Sequence, residues 1–297
     1  MSGPAAAAAG LGARAFVALQ YLLPQHALTA LVHRATRSRT PALKNLLIRR
    51  FLAHYRPDLS EAEQPDALSY ESFNAFFTRA LRPGARPLPP GEAALVCPVD
   101  GSVSQLGELD GSVLLQAKGH HYSLEALLAQ AAPHWAPRWR GGSFATLYLA
   151  PYNYHRIHMP LTATLRAAWY VPGRLFSVNR TTAQSVPGLF TRNERIVCVF
   201  EHGALCFALV LVGALFVGSM ATVWHGTVTP RAPRRACALP LSAALAPLSL
   251  PQGAELGRFN MGSTVILLLP PGVARWRAGL ESGSAVRVGE LLAELRP

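Results

Sequence analysis

The chain has 297 residues, of which 50% are hydrophobic, and this size and composition fit one large domain, with or without a helical appendage. They exclude a disordered chain, and the formal net charge of +12 indicates an anionic partner. The four cysteines form no C-x-x-C pair, so their spacing indicates no zinc or redox motif. We expect buried or incidental thiols in a reducing compartment.

The positive charge is concentrated at the N-terminus. No Asp or Glu precedes Asp58, whereas eight Lys and Arg residues fall in that stretch. Apolar residues alternate with them at helical spacing, and no aromatic stacking platform or zinc-finger spacing is visible. This pattern favours an anionic membrane over nucleic acid as the partner. An Arg-rich, acid-poor start is also typical of a mitochondrial transit peptide, which remains a minority interpretation.

Helices are predicted over residues 13–23, 26–35 and 41–55, and the first of them is ended by Pro24. Thr40-Pro41 is a favourable start for the third helix. That helix is amphipathic and basic, with four apolar residues at i+4 spacing and three basic residues off that line. The apolar set is Leu43, Leu47, Phe51 and Tyr55, and the basic set is Lys44, Arg49 and Arg50.

A fourth helix is expected to follow a cap at Ser69, to carry Phe73, Phe76 and Phe77, and to end near Leu81. A Pro-rich connector then separates two regions. Residues 1–88 are predicted to be a helical membrane-associating region, and residues 89–297 a β-rich catalytic body. The predicted fold class is therefore α+β.

The body shows short β-like runs separated by Gly and Pro. Strands are expected at residues 101–106, 112–117, 144–149, 196–200, 205–212 and 265–269, with one helix capped by Ser123 and ending near residue 131. Residues 204–224 carry no charge and are long enough to span a membrane. Gly213, Gly218 and recurrent β-branched residues favour two buried strands joined by a bend.

Three stretches carry residues suited to catalysis. Asp100 lies in an Asp-Gly turn, which by itself indicates only a β-turn. His155 and His158 are three residues apart, but flanking prolines argue against a helix, so we predict an extended turn and no metal site. The third stretch, Gly262-Ser263-Thr264, stands at the start of an apolar strand. Asp, His and Ser distant in sequence can meet in space, although spacing alone does not require it.

In combination, these stretches resemble the phosphatidylserine decarboxylase family in its bacterial proenzyme form, over residues 72–295. The similarity is carried by segments 76–83, 98–101, 118–125, 154–160, 175–179, 193–195 and 257–264. One departure is Met261, where the family usually has Leu. This substitution conserves volume and polarity, so only a modest effect on maturation is expected.

The resemblance implies that Ser263 is the nucleophile of self-cleavage, His158 its general base, and Asp100 the residue that orients His158. Cleavage after Gly262 would give a β chain, residues 1–262, and an α chain, residues 263–297. Ser263 would become a covalent pyruvoyl group, the only cofactor expected.

The same resemblance implies the reaction and the partners. The pyruvoyl ketone would form a Schiff base with phosphatidylserine in the bilayer, and loss of carbon dioxide would yield phosphatidylethanolamine. His155, in the same turn as His158, is the candidate for handling protons in this reaction. The expected location is peripheral, on the cytoplasmic side of a bacterial cell membrane, with the mitochondrial inner membrane as the minority interpretation. A homodimer is a further family-based expectation.

The sequence is also compatible with three different functions. Residues 284–294 resemble a hairpin of lipoyl-type carriers, but no Lys follows Lys118 to carry the modification. A catalytically inactive membrane-bound scaffold would keep the basic helices without the chemistry. A decarboxylase of the same class could act on a different lipid headgroup.

Overall fold

The computed structural model describes residues 11–91, 94–117, 119–216, 219–241, 246–261 and 264–296. Gly262 and Ser263, which form the predicted cleavage site, lie outside the described residues, and so does Gly218. The helices are α1 (Leu11–Leu22), α2 (Gln25–Thr36), α3 (Pro41–Tyr55), α4 (Phe73–Phe77), α5 (Leu124–Leu128), α6 (Ala132–Trp135), α7 (Arg180–Ala183) and α8 (Leu189–Arg192).

Strands make up most of the chain after residue 93. They are β1 (Ala94–Val96), β2 (Gly101–Glu108), β3 (Val113–Ala117), β4 (His120–Ser123), β5 (Ser143–Tyr148), β6 (Arg156–His158), β7 (Ala163–Val171), β8 (Arg195–His202), β9 (Leu205–Val212), β10 (Met220–Thr222), β11 (Gly226–Thr227), β12 (Cys237–Ala238), β13 (Ser249–Leu250), β14 (Glu255–Phe259), β15 (Thr264–Leu269), β16 (Ala274–Trp276), β17 (Ala285–Val286) and β18 (Leu291–Leu295). The mixture of helices and sheets confirms the α+β class.

The strands form one large antiparallel sheet and three smaller ones. The large sheet has the order β12-β7-β8-β9-β15-β5-β2-β17, and β13 pairs with β7 as well. A four-stranded sheet has the order β11-β10-β14-β6, a three-stranded sheet the order β1-β18-β16, and β3 pairs with β4. Strand β15 lies inside the large sheet, between β9 and β5.

The large sheet is buried on both faces. Along β9, Phe207, Leu209 and Leu211 face one hydrophobic core, and Ala208 and Val210 face the other. The first core includes residues of the small sheets, and the second includes residues of α5, α6 and α8. Because both faces are covered, β9 carries only apolar residues. A strand with one solvated face would alternate apolar and polar residues.

The described part of the uncharged run from residue 204 to 224 is therefore not a helix. Its described residues contain β9 and β10, and the chain leaves the large sheet near Gly213 and enters the four-stranded sheet at Met220. The prediction of two buried strands is confirmed. Among the described helices, no single one is long and apolar enough to cross a membrane. The pair α1 and α2 passes that test jointly, with an 87° bend between its members.

The first three helices lie close to their predicted positions, but the buried face of α3 differs from the predicted stripe. Ile48 and Phe51 are buried, whereas Leu43 and Tyr55 are exposed at the surface. Phe51 packs edge-on against the three phenylalanines of α4, and Met261 packs against the same cluster. This aromatic cluster links the N-terminal helices to the residue that precedes Gly262.

The predicted start and end of α4 are wrong. Its N-cap is Ser72, whose hydroxyl accepts a hydrogen bond from the Ala75 amide at 3.1 Å. Ser69 instead ends a 3-10 turn that begins after Asp66. The helix ends at Phe77, four residues before the predicted end near Leu81.

Candidate active site

The predicted cleavage site lies between two strands that belong to different sheets. On one side, β14 is paired with β10 and β6, and Asn260 donates and accepts hydrogen bonds with Ser219 and Asn74 at 2.7–2.9 Å. On the other side, Thr264 is the first residue of β15 and is aligned with Tyr148 and Val212. Both flanks are therefore anchored independently of the peptide bond between them.

His158 is the last residue of β6 and lies opposite Glu255 of β14. Its Nδ1 atom is 2.7 Å from the carbonyl oxygen of Gly253. Because a carbonyl oxygen only accepts, Nδ1 carries the proton, and Nε2 therefore presents a lone pair. Burial lowers the pKa of His158, so the ring is neutral at pH 7. A neutral imidazole with a free Nε2 lone pair is the form that a general base requires.

Tyr154 contacts that lone pair. Its hydroxyl is 2.9 Å from Nε2 of His158 and acts as the donor, because burial raises the pKa of Tyr154 and keeps the phenol protonated. Any proton that His158 accepts at Nε2 must pass through this hydroxyl or displace it. The role of Tyr154 was not predicted, although its place four residues before His158 in an extended turn is a signal that it could reach the ring.

The turn that holds Asp100 is joined to the strand that ends at His158. The Asp100 carboxylate, however, forms no hydrogen bond with the His158 ring in the described structure. The His158 amide donates to the Pro98 carbonyl at 2.8 Å, which joins β6 to the turn that holds Asp100. Among the described residues, however, the carboxylate accepts from the Val288 amide at 2.8 Å and from Arg86. The Gly253 carbonyl occupies the position at Nδ1 that the predicted triad gives to Asp100.

The backbone around Asp100 explains why the turn has its Asp-Gly sequence. Gly101 begins β2, and a Cβ atom there would collide with the carbonyl oxygen of Tyr148 in β5. Only glycine permits that close approach, which fixes the preceding carboxylate of Asp100 just before the start of β2. Since Val288 lies beyond residue 263, Asp100 also connects the two segments that cleavage would separate.

Arg86 is a functional candidate that the sequence analysis missed. Its guanidinium forms a forked contact with Asp100, and its Nη1 atom lies 2.8 Å from Glu61. The Arg86 and Asp100 side chains are only 11% and 10% exposed, so the pair is largely shielded from water. The one signal in the sequence was its position in the Pro-rich connector, which is otherwise poor in charge.

His155 is fully buried and stacks on Phe77 with a centroid distance of 4.1 Å. Its Nε2 atom donates to the Pro151 carbonyl at 3.1 Å, and Nδ1 has no hydrogen-bond partner among the described residues. Burial lowers the pKa of His155 to about 3. The ring is therefore neutral at physiological pH, and its backbone carbonyl accepts from Phe259 of β14 at 3.0 Å.

An apolar cavity of about 460 Å³ adjoins this region. It lies between α3, α4 and the large sheet, and its lining includes Phe51, Tyr55, Phe77, Tyr148 and Met261. Within the ranges that the structure describes, no group of three or more His, Cys, Asp and Glu side chains is arranged to hold a metal ion. The site therefore offers a base, a charged pair and an apolar cavity that Met261 lines.

Comparison with known proteins assigns this site to a family. The family model described as "Phosphatidylserine decarboxylase" matches residues 73–294, and a second model, described as "PSD", matches residues 15–56. The chain is similar to the phosphatidylserine decarboxylase proenzymes of Pseudomonas putida (51% identity, 95% of this chain and 98% of the relative), Methylibium petroleiphilum (53%, 93% and 96%) and Methylococcus capsulatus (49%, 97% and 99%).

These matches define the class of protein as a lyase that is synthesised as a proenzyme, a single chain that must be processed before it is active. The chain belongs to the phosphatidylserine decarboxylase family, whose members are pyruvoyl-dependent decarboxylases. The family resemblance found in the sequence is confirmed, and so is the assignment to this enzyme class.

The Arg86–Asp100 pair makes a testable contribution to stability. In a Ser263→Ala background, which keeps every variant in one covalent form, we expect Arg86→Met to lower the free energy of unfolding by about 3 kcal/mol, because Asp100 is left as a shielded and poorly paired charge. Asp100→Asn should cost a similar amount, and the double variant should cost at least about 1 kcal/mol less than the sum. Denaturant unfolding provides the values, and strict additivity would contradict a coupled pair.

The pKa of His155 predicts a pH dependence of stability. An unfolded histidine takes up a proton near pH 6.5, whereas the folded ring stays neutral down to about pH 3. Between these values the unfolded state binds the extra proton, so stability falls as pH falls, by up to about 1.4 kcal/mol per pH unit. In the Ser263→Ala background, His155→Gln should reduce the slope of unfolding free energy between pH 6.5 and 4 by up to that amount. Parallel curves for the two proteins would show that His155 titrates normally.

Proposed function

We propose that this chain is a phosphatidylserine decarboxylase that matures by cutting itself between Gly262 and Ser263. The observation that supports it most directly is the state of His158, a neutral ring whose Nε2 lone pair accepts from the Tyr154 hydroxyl, at the strand pairing that leads toward Met261. A general base in that state is what a serine hydroxyl needs in order to attack a carbonyl carbon.

In the proposed cleavage, the Ser263 hydroxyl loses its proton toward His158 and attacks the carbonyl carbon of Gly262. The peptide nitrogen leaves that carbon and takes a proton, which converts the amide into an ester. Removal of the Ser263 α-proton then expels the Gly262 carboxylate, and hydrolysis of the resulting enamine releases ammonia. Tyr154, which already donates to Nε2, is placed to relay the first proton.

Asp100 retains its proposed role in orienting the site, although by a less direct route than a hydrogen bond to the ring. Its negative charge acts on His158 through space, and its bonds to Arg86 and Val288 fix the turn that contacts β6. His158 itself is oriented by the Gly253 carbonyl. We therefore propose Asp100 as a positioning residue for the base.

A buried polar atom next to residue 263 in the sequence fits a small polar group such as the pyruvoyl. Thr264 Oγ1 is buried without a hydrogen-bond partner among the described residues. When formed, the group supplies a ketone that withdraws electrons from the carbon that bears the substrate carboxylate. His155 stays a prediction for proton handling, with its neutral ring able to accept at Nδ1.

The proposed substrate is a membrane lipid, and the surface of the N-terminal helices supports docking to a bilayer. Eight of the fourteen large apolar residues that are exposed in the described structure fall in α1, α2 and α3. Leu19 and Leu22 are 53% and 83% exposed. Apolar side chains on basic helices are typical of proteins that lie in the membrane interface. Peripheral location at the cytoplasmic face and a homodimer stay predictions.

The maturation proposal is tested by the intact mass of the purified protein under denaturing conditions. We expect two chains, residues 1–262 and 263–297, with the shorter one blocked to N-terminal sequencing. Ser263→Ala should remain one chain, and His158→Gln should cleave at least about a hundredfold more slowly, because a general base contributes at least that factor. The matured protein should release carbon dioxide from phosphatidylserine.

The control results separate this proposal from its competitors. One intact chain, under conditions in which a relative matures, would favour the inactive scaffold. Two chains that leave phosphatidylserine unchanged but decarboxylate another amino-acid-bearing phospholipid would favour a different headgroup. Cleavage of Ser263→Ala at wild-type rate would remove Ser263 as the nucleophile.

Membrane docking predicts a separate effect on vesicle binding. We expect Leu19→Ser/Leu22→Ser to weaken binding to vesicles that contain an anionic lipid by about tenfold or more, because two apolar side chains no longer enter the interface. A matched control is Val113→Ser/Leu115→Ser, which changes two exposed apolar residues of β3 in the body. Vesicle co-sedimentation measures both. Equal binding by the two double variants would argue against docking through α1.

A further inference from the structure

A second cavity, of about 730 Å³, lies on the other side of α4 from the apolar one. One wall is formed by α4 and the residues that follow it, the other by β14 and β6, and the connection between α2 and α3 completes it. Five arginines and two glutamates line it. We call this space the arginine cavity, and neither the proposed cleavage nor the apolar cavity accounts for it.

Arg79 is the most unusual residue of the arginine cavity. It is only 4% exposed, and its Nε and Nη1 atoms are buried without a hydrogen-bond partner in the part of the chain that the structure describes. Its one hydrogen bond among the described residues is long, from Nη2 to the Tyr152 carbonyl at 3.4 Å, and the guanidinium lies over the Phe76 ring at 5.9 Å. Asp100 and Asp58 act on Arg79 through space, but neither forms an ion pair with it. Burying a cation without a paired counter-ion is costly, so such a group calls for an anion.

Two further cations lack a carboxylate partner among the described residues. Arg37 reaches the Ser219 hydroxyl at 3.2 Å, and Arg258 lies close enough for its charge to lower the pKa of Arg37, after the larger effect of burial. Like charges this close repel unless an anion lies between them. Arg258 therefore adds to the demand for an anion that Arg79 creates.

The remaining charges of the cavity do not satisfy this demand. Arg39 is paired with Glu71 at 2.9 Å, and Arg156 with Glu255 at 2.8 Å. Glu63 is the only other carboxylate of the lining, and it forms no ion pair with a described residue. Three arginines without a carboxylate partner thus face one unpaired glutamate, and the cavity keeps a positive excess.

The geometry points to a binding site for a phosphate oxyanion, with Arg37, Arg79 and Arg258 as its ligands. Guanidinium groups suit phosphate because they donate paired N–H groups to adjacent oxygens. The oxyanion is the phosphodiester of a phospholipid headgroup or a free phosphate, since both present the same oxygens. The site adjoins the candidate active site, because Asn260 lines it and Arg79 contacts the turn that leads to His155.

Calorimetric titration of the matured full-length protein tests this inference. The probes are a short-chain phosphatidylglycerol below its micelle concentration, which carries no amine and is not turned over, and inorganic phosphate alone. We expect the lipid to bind, and Arg258→Gln and Arg37→Gln each to weaken its binding by about tenfold or more, because each removes a charged hydrogen-bond donor. Arg258→Lys should lose less than Arg258→Gln.

The control is Arg192→Gln, which removes one exposed positive charge outside the cavity and should leave binding unchanged. If inorganic phosphate binds as tightly as the lipid, with the same dependence on Arg37 and Arg258, the anion site is supported and its ligand is free phosphate. The inference is overturned if neither probe binds, or if both cavity variants bind as Arg192→Gln does.

The identification of the anion as the phosphate of a lipid rests on the proposed function, whereas the binding of an anion in the arginine cavity does not. The two can fail separately, because chain masses report maturation and calorimetry reports the anion. Matured chains that decarboxylate phosphatidylserine but bind neither probe would overturn only the anion site. An unprocessed chain that binds phosphate through Arg37 and Arg258 would overturn only the proposed cleavage.

Discussion

The constraint on which the site depends is the anchoring of its two flanks in different sheets. Strand β15 is paired on both sides within the large sheet, and every one of its residues is buried. Strand β14 is likewise paired on both sides in the four-stranded sheet. The chain must cross between the sheets over residues 260–263. A break there would release neither flank, because each ladder holds its own strand without help from the peptide bond.

This anchoring also explains how one fold can serve a proenzyme and its product. The segment after residue 263 contributes β15, β17 and β18, which pair with strands on the other side of the break, and β16, which pairs with β18. The amide of Val288 adds a bond to Asp100. A cleaved α chain would therefore stay in place through hydrogen bonds and core packing, and the positions of Asp100 and His158 would not depend on covalent continuity.

The parts of the fold that the sequence predicted well are those set by continuous burial. The apolar run 205–212 predicted both ends of β9, since only buried strands tolerate so many large apolar residues in succession. The stripe on α3 was predicted less well for a geometric reason. Each i+4 step advances about 40° around a helix with 3.6 residues per turn, so four such residues drift off any one face. The N-cap of α4 was predicted at the wrong serine because Ser69 and Ser72 both precede the apolar residues of the helix, and either hydroxyl can cap a helix. Only the packing of α4 decides between the two serines.

In the candidate site, the sequence predicted the functional side chains but not the backbone atoms and tertiary contacts that orient them. The motifs carried Asp100, His155 and His158, and the structure gathers them around β6: His155 precedes the strand, His158 ends it, and the His158 amide is bonded to the turn that holds Asp100. The atom that orients His158 is a backbone oxygen of Gly253, for which a sequence contains no signal. The bond between Arg86 and Asp100 was equally hidden, because the connector that bears Arg86 returns to the body only through its tertiary contacts.

Helix α4 gives these features a common arrangement. Its Phe77 lines the apolar cavity, whereas Asn74 and the C-cap residue Thr78 line the arginine cavity. The two residues before the predicted cleavage site are divided between the cavities in the same way. Met261 lines the apolar cavity, and Asn260 lines the arginine cavity. A molecule that bridges the two spaces past residues 260 and 261 must be apolar at one end and anionic at the other. A phospholipid has that character, so the division of polarity across α4 links the two cavities to one class of ligand.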